Sequence, residues 1–238
     1  MLFNNKMRSR LLNAIWYNRK VIKSINMRRK QKGLIILHAA SAGEFEQLVP
    51  IIKCINRQNF FILVSFMSPT IFSKQWDTKF ADDVVYHPLD FWWLAISFFQ
   101  RIRPDVYVVN RHDIWPAHLN IAKFYGVKNI MINANLYENS VRLIKLFRPF
   151  NIFLFNHFNL VCTGSLRLKE QLLKLIKSEK IVITGDTRIN RVLTRSEDCN
   201  LKKEFLILKN YKNIILGSII STDFEVIFGG LKLLFPNG

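Results

Sequence analysis

Acidic residues are scarce in this chain. Its 238 residues hold 17 Asp and Glu against 35 Lys and Arg, a formal net charge of +18, and residues 1–32 contain ten cations and no acid. Cysteine is scarcer still: Cys54, Cys162 and Cys199 are odd in number, far apart and without CxxC spacing. That excludes a disulfide framework and a cysteine zinc site, and reads as ordinary thiols in a reducing cytosol. The five histidines show no ligand spacing, so no metal is expected. No apolar run approaches the ~18 residues of a spanning helix. No apolar stretch near Met1 leads into a small-residue cleavage site, so no signal peptide is predicted. Helix-turn-helix, zinc-finger and RNP patterns are missing too, which leaves net charge as the sole argument for nucleic acid; no such partner is expected.

Apolar residues, by contrast, make up 50% of the chain. That suffices for one large core, or one domain and part of another, and is too much for disorder. In residues 1–32 the positions Leu11, Leu12, Ile15, Trp16, Val21, Ile22 and Ile25 fall near helical spacing between Lys and Arg. The stretch reads as a basic membrane-proximal arm, with a solvated basic tail as the alternative. From residue 33 short apolar runs alternate with longer helical patterns. Strands are predicted at Leu34–His38, Phe60–Ser65, Val84–Tyr86, Val106–Val109, Asn129–Ile132, Leu160–Cys162, Ile181–Thr184 and Asn213–Leu216. Crossover helices are predicted at Glu46–Asn56, Phe91–Arg101, Pro116–Tyr125 and Leu166–Lys177. Val/Ile runs without polar alternation suit strands buried on both faces. The predicted class is therefore α/β, a Rossmann-like parallel sheet with helices on both faces, spanning residues 33–212. The last strand and the turn Gly217-Ser218 begin a second domain, residues 213–238, that looks truncated.

Two stretches carry more specific signals. From Asn139 to Phe158, Arg142, Lys145 and Arg148 recur among Leu143, Ile144, Leu146, Phe147, Phe150, Phe153, Phe155 and Phe158, with no acid. This is either an interfacial element or a helix and loop whose phenylalanines belong to the core. The sharper signal is His38-Ala39-Ala40-Ser41-Ala42-Gly43-Glu44-Phe45-Glu46, lying between a predicted strand and a helix. Its small residues allow a tight turn, and Gly43 permits close approach of a ligand. Glu44 falls where open α/β sheets bind ligands, and is placed to take a proton from an attacking hydroxyl. An acid in a first helical turn also serves simply to complement the helix dipole.

That string resembles the His-Ala-x-Ser-x-Gly-Glu signature of Kdo (3-deoxy-D-manno-octulosonic acid) transferases. Tyr86-His87-Pro88-Leu89-Asp90 is similar to their Pro-x-Asp element, and Arg111-His112-Asp113-Ile114-Trp115-Pro116 to their Glu-x-Glu-x-Trp-Pro motif. Asn133-Ala134-Asn135-Leu136 with Ser140, Gly185-Asp186-Thr187-Arg188-Ile189-Asn190, and Gly217-Ser218 with Glu225 resemble three further segments, in the family's order.

The resemblance implies one half of a two-domain GT-B glycosyltransferase. It implies inverting, metal-independent transfer of Kdo from CMP-Kdo to a primary hydroxyl of a lipid A precursor, in lipopolysaccharide synthesis. No cofactor beyond the donor CMP-Kdo is implied. The expected place is the cytoplasmic face of the inner membrane, held there peripherally or by the N-terminus against anionic lipid. Glu44 is the implied base. Arg188 and Ser218 are the implied donor-phosphate residues, and Ser41, Gly43, Asp113 and Asn133 the acceptor-side or motif residues. The chain departs from the pattern at Arg111 (Glu in the family), Asp113 (Glu), Asn135 (Arg), Asp186 (Asn) and Asn190 (Asp). A catalytically inactive acceptor domain that binds lipid A or a partner is the alternative these departures raise.

Overall fold

The computed structural model describes residues 19–67, 80–111, 113–197, 214 and 216–234. The chain forms two compact units, Met1–Ser196 and Glu197–Gly238. In the first, seven strands make one sheet: β1 (Gly33–Ala39), β2 (Phe60–Phe66), β3 (Asp83–Tyr86), β4 (Val106–Asn110), β5 (Lys128–Ala134), β6 (Leu160–Thr163) and β7 (Ile181–Ile183). All neighbouring pairs are parallel, in the order β3-β2-β1-β4-β5-β6-β7. Its helices are α1 (residues 19–28), α2 (Ala42–Cys54), α3 (Trp92–Ile102), α4 (Pro116–Phe124), α5 (Arg148–Phe155), α6 (Leu166–Leu172) and α7 (Thr187–Glu197). The second unit carries α8 (Phe224–Leu234). The eighth predicted strand, Asn213–Leu216, falls partly on residues 213 and 215, which lie outside the described ones.

The apolar runs form strands because both sheet faces are covered. Successive side chains of a strand point to opposite faces, and β1 divides accordingly. Leu34 and Ile36 join Leu63, Tyr107, Val109 and Met131 in one core layer, while Ile35 and Leu37 join Ile62, Val64, Val108 and Ile132 in the other. Leu48 and Ile52 of α2 close the second layer.

The first layer bears on one expectation. Of the apolar residues of the basic arm, Val21, Ile22 and Ile25 are buried with Phe98, Phe99 and Ile102 of α3, while Leu11, Leu12, Ile15 and Trp16 lie outside the described residues. An apolar helical stripe fits a protein core as well as a bilayer, and composition does not distinguish the two. Cations at the end of α1 and in the turn after it are also engaged. Arg29 Nη1 donates to the carbonyls of Ile102 and Arg103 at 3.1 Å, at the carboxyl end of α3, where positive charge is favourable. Arg28 pairs with Asp83.

The basic, aromatic segment divides between its two readings. Leu154, Phe155 and Phe158 are buried, whereas Ile144, Leu146, Phe147, Phe150 and Phe153 are exposed. Among the described residues no helix is long and apolar enough to cross a membrane. Helix α7 was not predicted; its apolar residues Ile189, Val192 and Leu193 are exposed and it buries no side chain. It is tied down instead by Arg191 and Arg195, which pair with Glu46 of α2 at 2.5 and 3.0 Å.

The sheet runs outward from β1 in one direction to β3 and from β4 in the other to β7. Strand order therefore reverses between β1 and β4. In open α/β sheets the crevice beyond the carboxyl ends of the strands at such a reversal is where ligands bind. Here those two ends carry His38–Glu44 and Asn110–Asp113.

Candidate active site

Ser41 is the N-cap of α2. Its extended backbone lets its Oγ accept from the Glu44 amide at 3.3 Å, while Glu44 Oε2 accepts from the amides of Ala40 at 2.7 Å and Ser41 at 3.3 Å. This is a reciprocal capping box. Gly43 lies within the first turn of the helix. Among the described residues a Cβ there would meet no atom within 4 Å, so the helix start presents bare backbone beside Glu44.

Strand β4 delivers the second carboxyl. Asn110 ends the strand, Arg111 turns the chain with φ 58°, and Asp113 comes to lie against Glu44. Burial first, then the neighbouring Glu44 charge and carboxyl, raise Asp113 from 3.8 to about 7. The Ala40 amide and the Arg111 charge oppose that rise. Two carboxyls placed together favour holding one proton between them. Arg142 reaches the same place: burial lowers its affinity for its proton and the Asp113 charge raises it.

A raised carboxyl value means that the folded chain holds this proton when the unfolded chain has lost it. Between 3.8 and about 7 the folded state binds more protons, so this group's contribution becomes less favourable as pH rises, with its full cost above 7. Asp113→Asn should remove that dependence. Its urea midpoint, measured against the parent's, should improve progressively from pH 4 to pH 8. A variant that tracks the parent throughout would return Asp113 to an ordinary carboxylate.

Beneath the carboxyls a chain of buried amides fixes the loops. Asn110 Nδ2 donates to the Glu44 carbonyl at 3.1 Å and to Gln47 Oε1 at 3.2 Å. Asn133, at the end of β5 with φ 51°, donates through Nδ2 to Asn110 Oδ1 at 3.0 Å and Thr187 Oγ1 at 2.9 Å; its Oδ1 accepts from the Thr187 amide at 3.1 Å. The side chain of Asn133 is thus spent on positioning. Asp90 plays a similar part, because its Oδ1 accepts from the Ala117 and His118 amides at 3.0 and 3.2 Å and from His118 Nδ1 at 2.9 Å. It caps α4, whose first residue is Pro116 and whose N-cap is Trp115.

Of the remaining predicted residues, Arg188 is half exposed and forks onto Asp186, with Nε at 2.8 Å and Nη2 at 2.5 Å from Oδ2. That pairing lowers Asp186 and raises Arg188. Arg111 acts on Asp186 as well as on Asp113. Ser218 lies in the second unit, with φ 58°. Glu44 and Asp113 are therefore brought together, Ser41 and Asn133 support them, and Arg188 is held by an acid two residues away. Arg142 and the Gln47–Asn110–Thr187 amide chain were not read from the sequence as site residues. Among the described residues no three His, Cys, Asp or Glu side chains converge to hold a metal ion.

Comparison with known proteins adds the following. Residues 14–191, more than half of the chain, match the family described as 3-deoxy-D-manno-octulosonic-acid transferase (kdotransferase). A 3-deoxy-D-manno-octulosonic acid transferase from Aquifex aeolicus is 24% identical over 201 residues, covering 84% of this chain and 50% of that protein. The chain thus spans about half the length of the curated relative it matches. Among solved structures, a protein of Listeria monocytogenes assigned as a UDP-N-acetylglucosamine 2-epimerase superposes with TM-score 0.64 at 11% identity, over 87% of this chain and 60% of that one. The UDP-N-acetylglucosamine 2-epimerase of Rickettsia bellii gives TM-score 0.59 at 11% identity, over 86% and 59%. At these identities the likeness is one of fold.

Proposed function

The chain belongs to the 3-deoxy-D-manno-octulosonic-acid (Kdo) transferase family, and from that membership we propose that it is the acceptor-binding half of an enzyme moving Kdo from CMP-Kdo to a lipid A precursor. The observation that carries this reading is the Glu44–Asp113 carboxyl pair at the strand-order reversal.

In this reading a primary hydroxyl of the acceptor gives its proton to Glu44 as its oxygen bonds to the anomeric carbon of Kdo. The bond from that carbon to the CMP phosphate breaks with inversion, and its electron pair leaves on the phosphate. No metal is needed for these steps, because fixed cations stabilise developing anionic charge. Arg188, shared with Asp186, and Ser218 are the proposed donor-side groups. Ser41, Gly43, Asp113 and Asn133 hold the acceptor side in shape. Exposed Leu146, Phe147, Phe150 and Phe153, with Lys145 and Arg148 in the same segment, support a peripheral place on an anionic membrane.

The Arg188–Asp186 fork favours a second reading, a catalytically inactive domain that binds acceptor alone, since the acid already neutralises the donor-side cation. One assay separates the two. The chain, with a competent nucleotide-binding half supplied in trans, is given CMP-Kdo and a lipid A precursor in anionic vesicles. Transfer is expected. Binding of the precursor without turnover would replace the enzymatic reading by the second.

A further inference from the structure

Three buried imidazoles pack at tilted angles into a column beside the carboxyl pair. The ring centroids of His38 and His87 are 3.9 Å apart, and those of His87 and His118 are 4.3 Å apart. The three side chains are essentially withdrawn from solvent. Among the described residues their hydrogen bonds point to one tautomer for each ring. An indole N–H only donates, so His38 Nε2, which receives Trp115 Nε1 at 3.3 Å, bears a lone pair, and Nδ1 donates to Ser65 Oγ at 3.0 Å. A carbonyl only accepts, so His87 donates from Nδ1 to Pro88 O at 3.0 Å and accepts Tyr107 Oη–H on Nε2 at 2.7 Å. Burial and the charges of Asp113 and Asp90 keep the Tyr107 proton in place. His118 donates from Nδ1 to Asp90.

The lone pair of His38 Nε2 has a second neighbour. Asp113 Oδ2 lies 3.7 Å from it, buried and, among the described residues, with no donor on it. An ionised Asp113 would set two lone pairs against each other, whereas a proton on Oδ2 would give both atoms an attractive contact. Glu44 is differently served, since two backbone N–H groups point at its Oε2. We propose that His38 is a positioning residue for the carboxyl pair: held as the Nδ1–H tautomer, it keeps the shared proton on Asp113. The proposal rests on Glu44 and Asp113 being the working pair. The groups acting on Asp113 are Glu44 from α2, the Ala40 amide, Arg111 from its own loop, Arg142 from the turn after β5, Tyr107 from β4 and His38 from β1. The two arginines and the Ala40 amide oppose the proton. The geometry of His38 supports it.

The test needs no transfer, so it stays separate from failure of the assay above. On the full chain, labelled with 15N and 13C, the His38 ring at pH 7 should show the Nδ1–H pattern of nitrogen shifts. The Asp113 carboxyl carbon should titrate near the value of about 7. His38→Asn keeps an amide for Ser65 and deletes the Nε2 lone pair, so the Asp113 midpoint should fall by about one pH unit or more. Trp115→Phe removes the indole donor, frees Nε2 to take the proton, and should shift both the tautomer and the Asp113 midpoint in the same sense. A ring found as Nε2–H or imidazolium in the parent would overturn the proposal. So would an Asp113 midpoint unmoved by both variants, the result expected if His38 merely fills space.

Discussion

Glu44→Gln should lower Kdo transfer by about 10²–10⁴-fold, the range for loss of a positioned general base, while leaving the fold intact. The glutamine amide oxygen can still accept from Ala40 and Ser41, where the carboxylate accepts at 2.7 and 3.3 Å, and glutamine serves at this position of a capping box as glutamate does. Shape and helix start are thus retained, and basicity is lost. Initial rates at saturating CMP-Kdo and lipid A precursor, set beside thermal unfolding of the same samples, check both halves of the statement. A parent-like rate would remove Glu44 from the chemistry. A large fall in unfolding temperature would instead assign it to the helix cap.

The second large effect is structural. Asn133→Ala should cost about 2–4 kcal/mol of stability, because it strips buried partners from three groups at once. Asn110 Oδ1, Thr187 Oγ1 and the Thr187 amide all meet the Asn133 side chain within 3.1 Å. Backbone adds to the cost, since Asn133 sits at φ 51°, where asparagine is tolerated far better than alanine. Asn133→Gly separates the two contributions: it loses the same hydrogen bonds but relieves the backbone, so it should be less damaging than alanine by roughly 1 kcal/mol. Urea unfolding of both variants measures this. Amide exchange at the start of α7 should quicken in both, because Asn133 holds the Thr187 amide. Unchanged exchange there would show that α7 is held by Glu46 alone.

The sheet was legible because its strands are short, apolar and bounded by turns. The runs at Phe60, Val106 and Leu160 stand in the structure within a residue or two of where the sequence put them. Helix α7 was missed: the apolar face of Thr187–Glu197 stays exposed, and the helix depends on Glu46, more than a hundred residues earlier. The helix at 19–28 was visible, but its partner was not. Ile25 reads the same whether it meets lipid or Phe99.

The site divides along the same line. A small-residue turn ending in Glu44 after an apolar strand is a local pattern, and Ser41 with Glu44 three residues on is a capping box that any reader of the chain can find. By itself the sequence therefore determined a parallel α/β domain, the family, and a carboxylate at the head of α2. Folding alone decided that Asp113 would face Glu44, that Arg142 would leave its aromatic segment to join them, and that His38 Nε2 would lie 3.7 Å from Asp113. Each of those facts depends on which strand lies next to β1. Strand order brings β4 to that place across an intervening pair of strands, and the burial that raises Asp113 to about 7 arises once the loops from both strands have closed over it.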